Sequence, residues 1–176
     1  MHLQGNTGSP LVLIHETSPD IALSILRGRK FIAGPILGDA GINCYIEGVD
    51  SYHPDQAASK GAFLTFEWSG PVEASRSISR HEPEVLYDER PHRAFVFTCT
   101  KKHLRVTGLS FREGHSFDGL VGQAPWYVLN KPRWAEQAHA QIQTEVDRIL
   151  REKPVISVVP PPDAPYLFIL RERNLI

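Results

Sequence analysis

The chain has 176 residues, 41% of them hydrophobic and 22% charged; that is enough length for one domain with its own core, and the composition excludes a fibrous or wholly disordered protein. Nineteen Lys and Arg against twenty Asp and Glu leave a formal net charge of -1, so no global pull towards nucleic acid or anionic lipid exists, while a local basic patch stays open. A single domain spanning 1–176 is expected.

The opening MHLQGNTGSP lacks the basic start and apolar run of a signal peptide. No apolar stretch approaches the roughly 20 residues that cross a bilayer, so no membrane partner is expected. The two cysteines, Cys44 and Cys99, form no CxxC pair. That argues against a disulfide framework or a cysteine zinc site and fits a reducing cytoplasm.

The apolar run Leu11 to Ile14, bounded by Pro10 and by polar residues, predicts a buried strand. Ser18 then reads as a helix N-cap, with Pro19 at the first helical position and Asp20 in the first turn. Ile21, Ala22, Ile25 and Leu26 supply one apolar face, Gly28 ends the helix, and Phe31-Ile32 begins the return. The glycines of GPILGDAGINCYIEG predict a loop that folds back into a strand around Ile42 to Ile46, and residues 50 to 60 read as another loop.

GAFLTFEW, HRAFVFTC, LRVTGLSF and PWYVLN are rich in β-branched and aromatic residues and read as strands. The polar stretch from about 69 to 92 reads as a connection with a helical turn at most. From Pro132 to Lys153 the period changes: Trp134, Ala138, Ile142, Val146, Ile149 and Leu150 form one face of the longest helix. VISVVPPPDAP adds a strand and a stiff proline joint, and YLFILRERNLI a terminal strand or tail. The expected class is α+β, with short helices and one longer C-terminal helix.

Several chemistries find little support. His81, His92, His103, His115 and His139 are scattered without HxxxH or HExxH spacing, so no metal is expected. His53 and Asp55 in SYHPD form a local pair that a Pro-containing turn also explains. No GxGxxG, GxxxxGK[ST] or GxSxG motif occurs. The interleaved aromatic and basic residues of WYVLNKPRW are weak evidence for nucleic-acid binding.

The order strand, HETS, helix, FIAGP, glycine loop and GINCYI resembles the N-terminal half of ADP-ribosyltransferases of the diphtheria-toxin and poly-ADP-ribose-polymerase type. In that family a first strand ends in a histidine followed by a small residue and a Ser or Thr, and a later strand bears a tyrosine. His15 and Thr17 match the first element and Tyr45 the second, whereas Glu16 stands where the family has glycine. The likeness covers about residues 11 to 47.

The resemblance implies a split β-sheet core that holds NAD, as substrate, in a cleft between two small sheets. The bond between nicotinamide and ribose then breaks through an oxocarbenium-like state, related in kind to glycoside hydrolysis. By this likeness His15 would hydrogen-bond the adenosine-side ribose, the backbone at Glu16 would receive the nicotinamide amide, and Thr17 would add a ribose contact. Tyr45 would stack on nicotinamide. The family's third position is a glutamate at the start of a later strand; in REGHSFDGLVGQAPWYVLN, Gln123 lies nearest, able to orient ribose but lacking a carboxylate. Glu113 and Glu172 are the alternatives.

The expected catalytic set is therefore His15, Tyr45 and Gln123, and the expected cofactor contacts are His15, Glu16, Thr17 and Tyr45. The acceptor is a protein, a nucleic acid or a small molecule. A toxin or effector role fits, acting in the cytoplasm or delivered into a target cytoplasm. Taken singly, His15 also reads as a structural strand-end residue, Tyr45 as core packing, and Thr17 and Ser18 as turn and cap. NAD hydrolysis, a domain of this fold that binds without turnover, and an unrelated α+β binding module are the competing functions.

Overall fold

The apolar run at residue 11 continues as strand well past Ile14. β1 spans Leu11–Thr17, so His15, Glu16 and Thr17 are strand residues, where a turn was expected after Ile14. The reason is a long-range partner: β4, Ala62–Trp68, pairs antiparallel with β1 along its whole length, from Leu11↔Trp68 to Thr17↔Ala62. The computed structural model describes residues 10–33, 41–49, 60–74, 85–90, 93–97, 100–121 and 132–160.

The remaining strands are β2 (Lys30–Ile32), β3 (Gly41–Ile46), β5 (Val72–Ala74), β6 (Leu86–Arg90), β7 (Arg93–Phe97), β8 (Leu104–Phe111) and β9 (Ser157–Val159). The helices are α1 (Pro19–Gly28), α2 (Asp118–Val121) and α3 (Pro132–Glu152). Seven strands form one curled, mixed half-barrel sheet in the order β5-β6-β7-β3-β1-β4-β8, and β2 and β9 make a separate parallel pair. The protein is thus α+β with one longer C-terminal helix. PWYVLN and the segment after Pro160 lie outside the described residues.

Alternation along the strands divides the sheet into two faces. Leu13, Leu64, Phe66, Trp68, Ile42, Cys44 and Ile46 point to one side and are buried with Ala22, Leu23, Ile25 and Leu26 of α1 and Val146 and Ile149 of α3. On the opposite side Phe95 and Phe97 join Val85 and Tyr87 in a second buried cluster. Each large side chain on the helix-covered side, if fully withdrawn from water, contributes about 1.5–3 kcal/mol.

Two expectations need correction. The polar stretch 69–92 contains two short strands, β5 and β6, in a parallel ladder from Val72↔Leu86 to Ala74↔Asp88. Only three residue pairs form it, and its support comes from β7, whose Val96 lies beside Leu86; neither leaves an alternating signature long enough to read locally. In α1, Ile21 is 49% exposed, while Leu23 is buried. At 100° per residue the buried arc centres between Ala22 and Leu26, which puts Ile21 on its flank.

Helix ends follow local chemistry. Ser18 has the extended backbone of an N-cap, but its hydroxyl donates to the Asp20 carboxylate and makes no cap bond to the backbone. Arg29, in the left-handed region at φ 51°, takes the turning role after Gly28. α1 and α3 are then clamped at the surface, where Arg27 meets the Glu145 carboxylate through Nε at 3.0 Å and a terminal nitrogen at 2.8 Å. Among the described residues no helix is long and apolar enough to cross a membrane.

Candidate functional site

β1 and β3 pair only briefly. The backbone N–H of Glu47 donates to the Val12 carbonyl, and the ladder then records Leu13↔Ile46 and Ile14↔Tyr45 and stops. Had it continued, the antiparallel alternation would bring the Asn43 carbonyl to the N–H of Glu16. Instead His15 Nδ1 lies 2.9 Å from that carbonyl. Where the two strands part, an imidazole reaches across the gap.

The bond fixes the chemistry of the ring. A carbonyl can only accept, so Nδ1 carries the hydrogen, and in the neutral imidazole Nε2 is left as an acceptor. Phe31 of β2 meets the ring edge-on, with centroids 4.8 Å apart at 86°, which holds its plane. Burial pushes the pKa of His15 below its ordinary value; the Asn43 carbonyl opposes that shift, the Lys60 ammonium adds to it, and Glu16 opposes it. His15 is therefore neutral at pH 7 and offers a lone pair rather than a charge.

The neighbours divide between the faces. Thr17 shares the side of His15 and is buried. Glu16 points the other way, and its Oε1 accepts the backbone N–H of Lys60 at 3.0 Å, tying the end of β1 to the approach of β4. Tyr45 also lies on the far side: its register partners are Ile14 and Arg93, and the Arg93 guanidinium carbon sits 5.9 Å from its ring centre. The register thus brings His15 and Thr17 to one face and Glu16 and Tyr45 to the other. The Asn43 Oδ1, also on that far side, is buried without a hydrogen-bond partner.

The same end of the sheet receives the turn that carries Glu113, one of the two carboxylates weighed as alternatives to Gln123. Thr17, Ala62 and Phe111 are aligned across β1, β4 and β8. Beyond Phe111 the chain turns back, with the Arg112 N–H donating to the Gly61 carbonyl and the His115 N–H to the Arg112 carbonyl. The His115 ring lies against Gly61, where an added Cβ would stand 2.0 Å from Cδ2. Gly61 also has φ +93°, so this position demands glycine twice over. Glu113 is exposed in that turn and comes to the end of the sheet that carries His15.

Gln123, Glu172, His53, Asp55, His81, His92 and Cys99 lie outside the described residues. Cys44 is wholly buried and its thiol is pushed up to about 12, which leaves it protonated and inert as a nucleophile. His139 Nδ1 and Asp118 Oδ1 approach to 2.9 Å between α3 and α2, a contact without hydrogen-bond geometry. Among the described residues no three His, Cys, Asp or Glu side chains converge as metal ligands. No protein-family model, curated protein or solved structure matches the chain.

Proposed function

We propose that the chain is an ADP-ribosyltransferase of the histidine-tyrosine-glutamate kind, holding NAD at the end of β1 and transferring ADP-ribose to an acceptor. The observation that carries this reading is His15, with Nδ1 tied to the Asn43 carbonyl and Nε2 left as an acceptor where β1 and β3 part. A neutral imidazole so oriented accepts a hydrogen bond from a ribose hydroxyl, the contact that the sequence resemblance calls for. β1 and β3 are neighbours in one continuous sheet, and the feature that supports a binding place there is the early end of their ladder after Ile14↔Tyr45.

In the proposed reaction the bond between ribose C1′ and the nicotinamide nitrogen breaks, and the electron pair leaves with nicotinamide. An acceptor nucleophile then bonds to C1′ and gives up its proton. Positive charge on the ribose is the difficulty, and a carboxylate nearby lowers the barrier. Glu113 is the carboxylate whose placement at the same end of the sheet supports that role; Gln123 orients ribose without supplying charge.

The test is incubation with NAD labelled in its adenylate half, with and without cell lysate, following free nicotinamide and macromolecular label. Label on a macromolecule supports transfer, and nicotinamide release alone supports hydrolysis. Glu113→Gln is expected to slow nicotinamide release at least tenfold with little change in NAD affinity, as befits an interaction realised in the transition state. Gln123→Glu raising turnover instead, with Glu113→Gln silent, would move the role to residue 123.

One observation favours a second reading, a domain of this fold that binds without turnover: Tyr45 is on the opposite face from His15. A ring packed beside Arg93 need not touch nicotinamide. Tyr45→Ala is then expected to lower stability by about 1–3 kcal/mol while the folded remainder keeps its NAD affinity. Weakened binding by folded Tyr45→Ala, with Tyr45→Phe close to wild type, would restore the ring to the site.

A further inference from the structure

Charge is unevenly placed in this chain. Three stretches, residues 27–30, 101–105 and 145–153, hold nine of its nineteen Lys and Arg but three of its twenty Asp and Glu, and the fold brings all three together. The run 154–158 joins the first two: the Ser157 N–H donates to the Arg29 carbonyl on one side, and on the other the Ile156 N–H donates to the Leu104 carbonyl and the Val158 N–H to that of Thr100. α3 delivers the third stretch to the same place. Arg29 and Arg148 share the Glu152 carboxylate, each at 2.7 Å, and Arg105 donates to the Lys153 carbonyl at 3.3 Å. Phe31, Leu104, Ile156 and Val158 turn inward and are buried, while all nine cations are exposed. A chain with a net charge of -1 thus carries one basic face.

The acids on this face are already engaged. Glu145 is held by Arg27, Glu152 by Arg29 and Arg148, Glu67 of β4 lies 3.7 Å from Lys153, and Asp147 accepts from Gln143. Among the described residues no carboxylate meets Lys30, Lys101, Lys102 or Arg151. Helix dipoles account for cations in a last turn, as at Arg27 and Arg151; they do not account for Lys30, Lys101, Lys102 and Arg105, which lie on strands or their approaches. The backbone points the same way. Among the described residues the non-glycine positions in the left-handed region are Arg29, at φ 51°, and Lys153, at φ 46°, just after the ends of α1 and α3. Glycine takes that conformation without steric cost, so each helix end here carries strain while presenting a cation, and such strain clusters where a surface has a task.

We infer that this face binds the phosphate backbone of a nucleic-acid duplex. Repulsion among cations gathered this closely opposes folding, and a polyphosphate relieves it while releasing its own condensed counterions. The three stretches contain no Trp, Tyr or Phe, and the His103 ring is turned to Trp68, with centroids 5.5 Å apart. Base stacking therefore has no ring to use, which favours a duplex over a single strand. A bilayer surface fits less well. The large apolar side chains exposed among the described residues are Ile21, Ile32 and Val72; of these only Ile32, two residues from Lys30, belongs to this face, and charge without buried apolar area makes a weak membrane anchor. The inference does not depend on the NAD reading of His15.

The test is fluorescence anisotropy of labelled duplexes of about 20 base pairs, one DNA and one RNA, titrated with the full chain over a range of salt. Wild type is expected to bind at least one of them, with affinity falling steeply as salt rises. Lys101→Gln combined with Lys102→Gln should weaken that binding about tenfold and flatten the slope of log affinity against log salt by about 1.8, two phosphate contacts at roughly 0.9 each. Lys60→Gln combined with Arg133→Gln removes the same charge from exposed positions off this face. At ~0.1 M salt, where screening acts over about 10 Å, that control should stay within about twofold of wild type. Circular dichroism verifies the fold of both variants. No binding of either duplex by wild type, equal binding by the Lys101 and Lys102 variant, or an equal loss in the control overturns the inference. Binding to phosphatidylserine vesicles with no binding to duplex also overturns it, and makes the face a membrane contact.

Discussion

Gly41→Ala is expected to destabilise the protein by about 2–3 kcal/mol, at the upper end of the usual cost of overpacking. A Cβ at Gly41 would stand 2.4 Å from the Phe95 ring carbon Cζ and 2.5 Å from the Val96 carbonyl oxygen. The ring can turn aside, but the carbonyl belongs to the backbone of β7, which pairs with β3 from Gly41↔Phe97 to Tyr45↔Arg93. Relief therefore requires the two strands to separate. Since β3 carries the Asn43 carbonyl that holds His15, the damage reaches the candidate site as well as the fold. Denaturant unfolding checks this: the midpoint should fall with little change in slope. Adding Phe95→Leu should recover only part of the loss, because the Val96 oxygen remains. A Gly41→Ala variant within 0.5 kcal/mol of wild type, as is typical of surface changes, would contradict the close approach of β3 and β7.

Much of the architecture was legible because the signals were local. LRVTGLSF is β8 from its first residue to its last, and the face from Trp134 to Leu150 on α3 carries the buried Val146 and Ile149. β5 and β6 were not legible, since a three-pair parallel ladder rests on β7 rather than on its own residue pattern. His15 stood out because a histidine at the end of an apolar strand is chemically unusual. What could not be read was its partner: a backbone carbonyl carries no residue signature, so the bond to Asn43 depends on where the β1–β3 ladder stops. The separation of His15 from Tyr45 has the same origin. One residue of register sends a side chain to the other face, and register between strands that lie 28 residues apart is a tertiary property. Gly61 was passed over, and His115 read only as one of several scattered histidines, for a related reason, as the two meet only once β4 and β8 are paired.

His15 carries the largest functional prediction. Between the ordinary imidazole pKa of 6.5 and the lowered value in the fold, the unfolded chain binds a proton that the folded ring refuses. Stability therefore falls as pH drops below 6.5 towards the folded pKa and levels off beneath it, while above 6.5 both states are neutral and the contribution vanishes. His15→Gln should flatten that part of the pH profile, and a profile unchanged by the substitution would remove His15 as its source.

The most direct measurement is calorimetric titration of NAD into wild type and His15→Ala at pH 7.5, where the imidazole is neutral, with folding of the variant verified by its spectrum. Removing the ring deletes the Nε2 acceptor and leaves its ligand hydroxyl without a partner, a loss of about 1–3 kcal/mol. Wild type should therefore bind NAD, and the variant should bind it roughly tenfold to a hundredfold more weakly. Wild type that fails to bind NAD, or a folded His15→Ala chain that binds it equally well, would contradict a cofactor site at the end of β1.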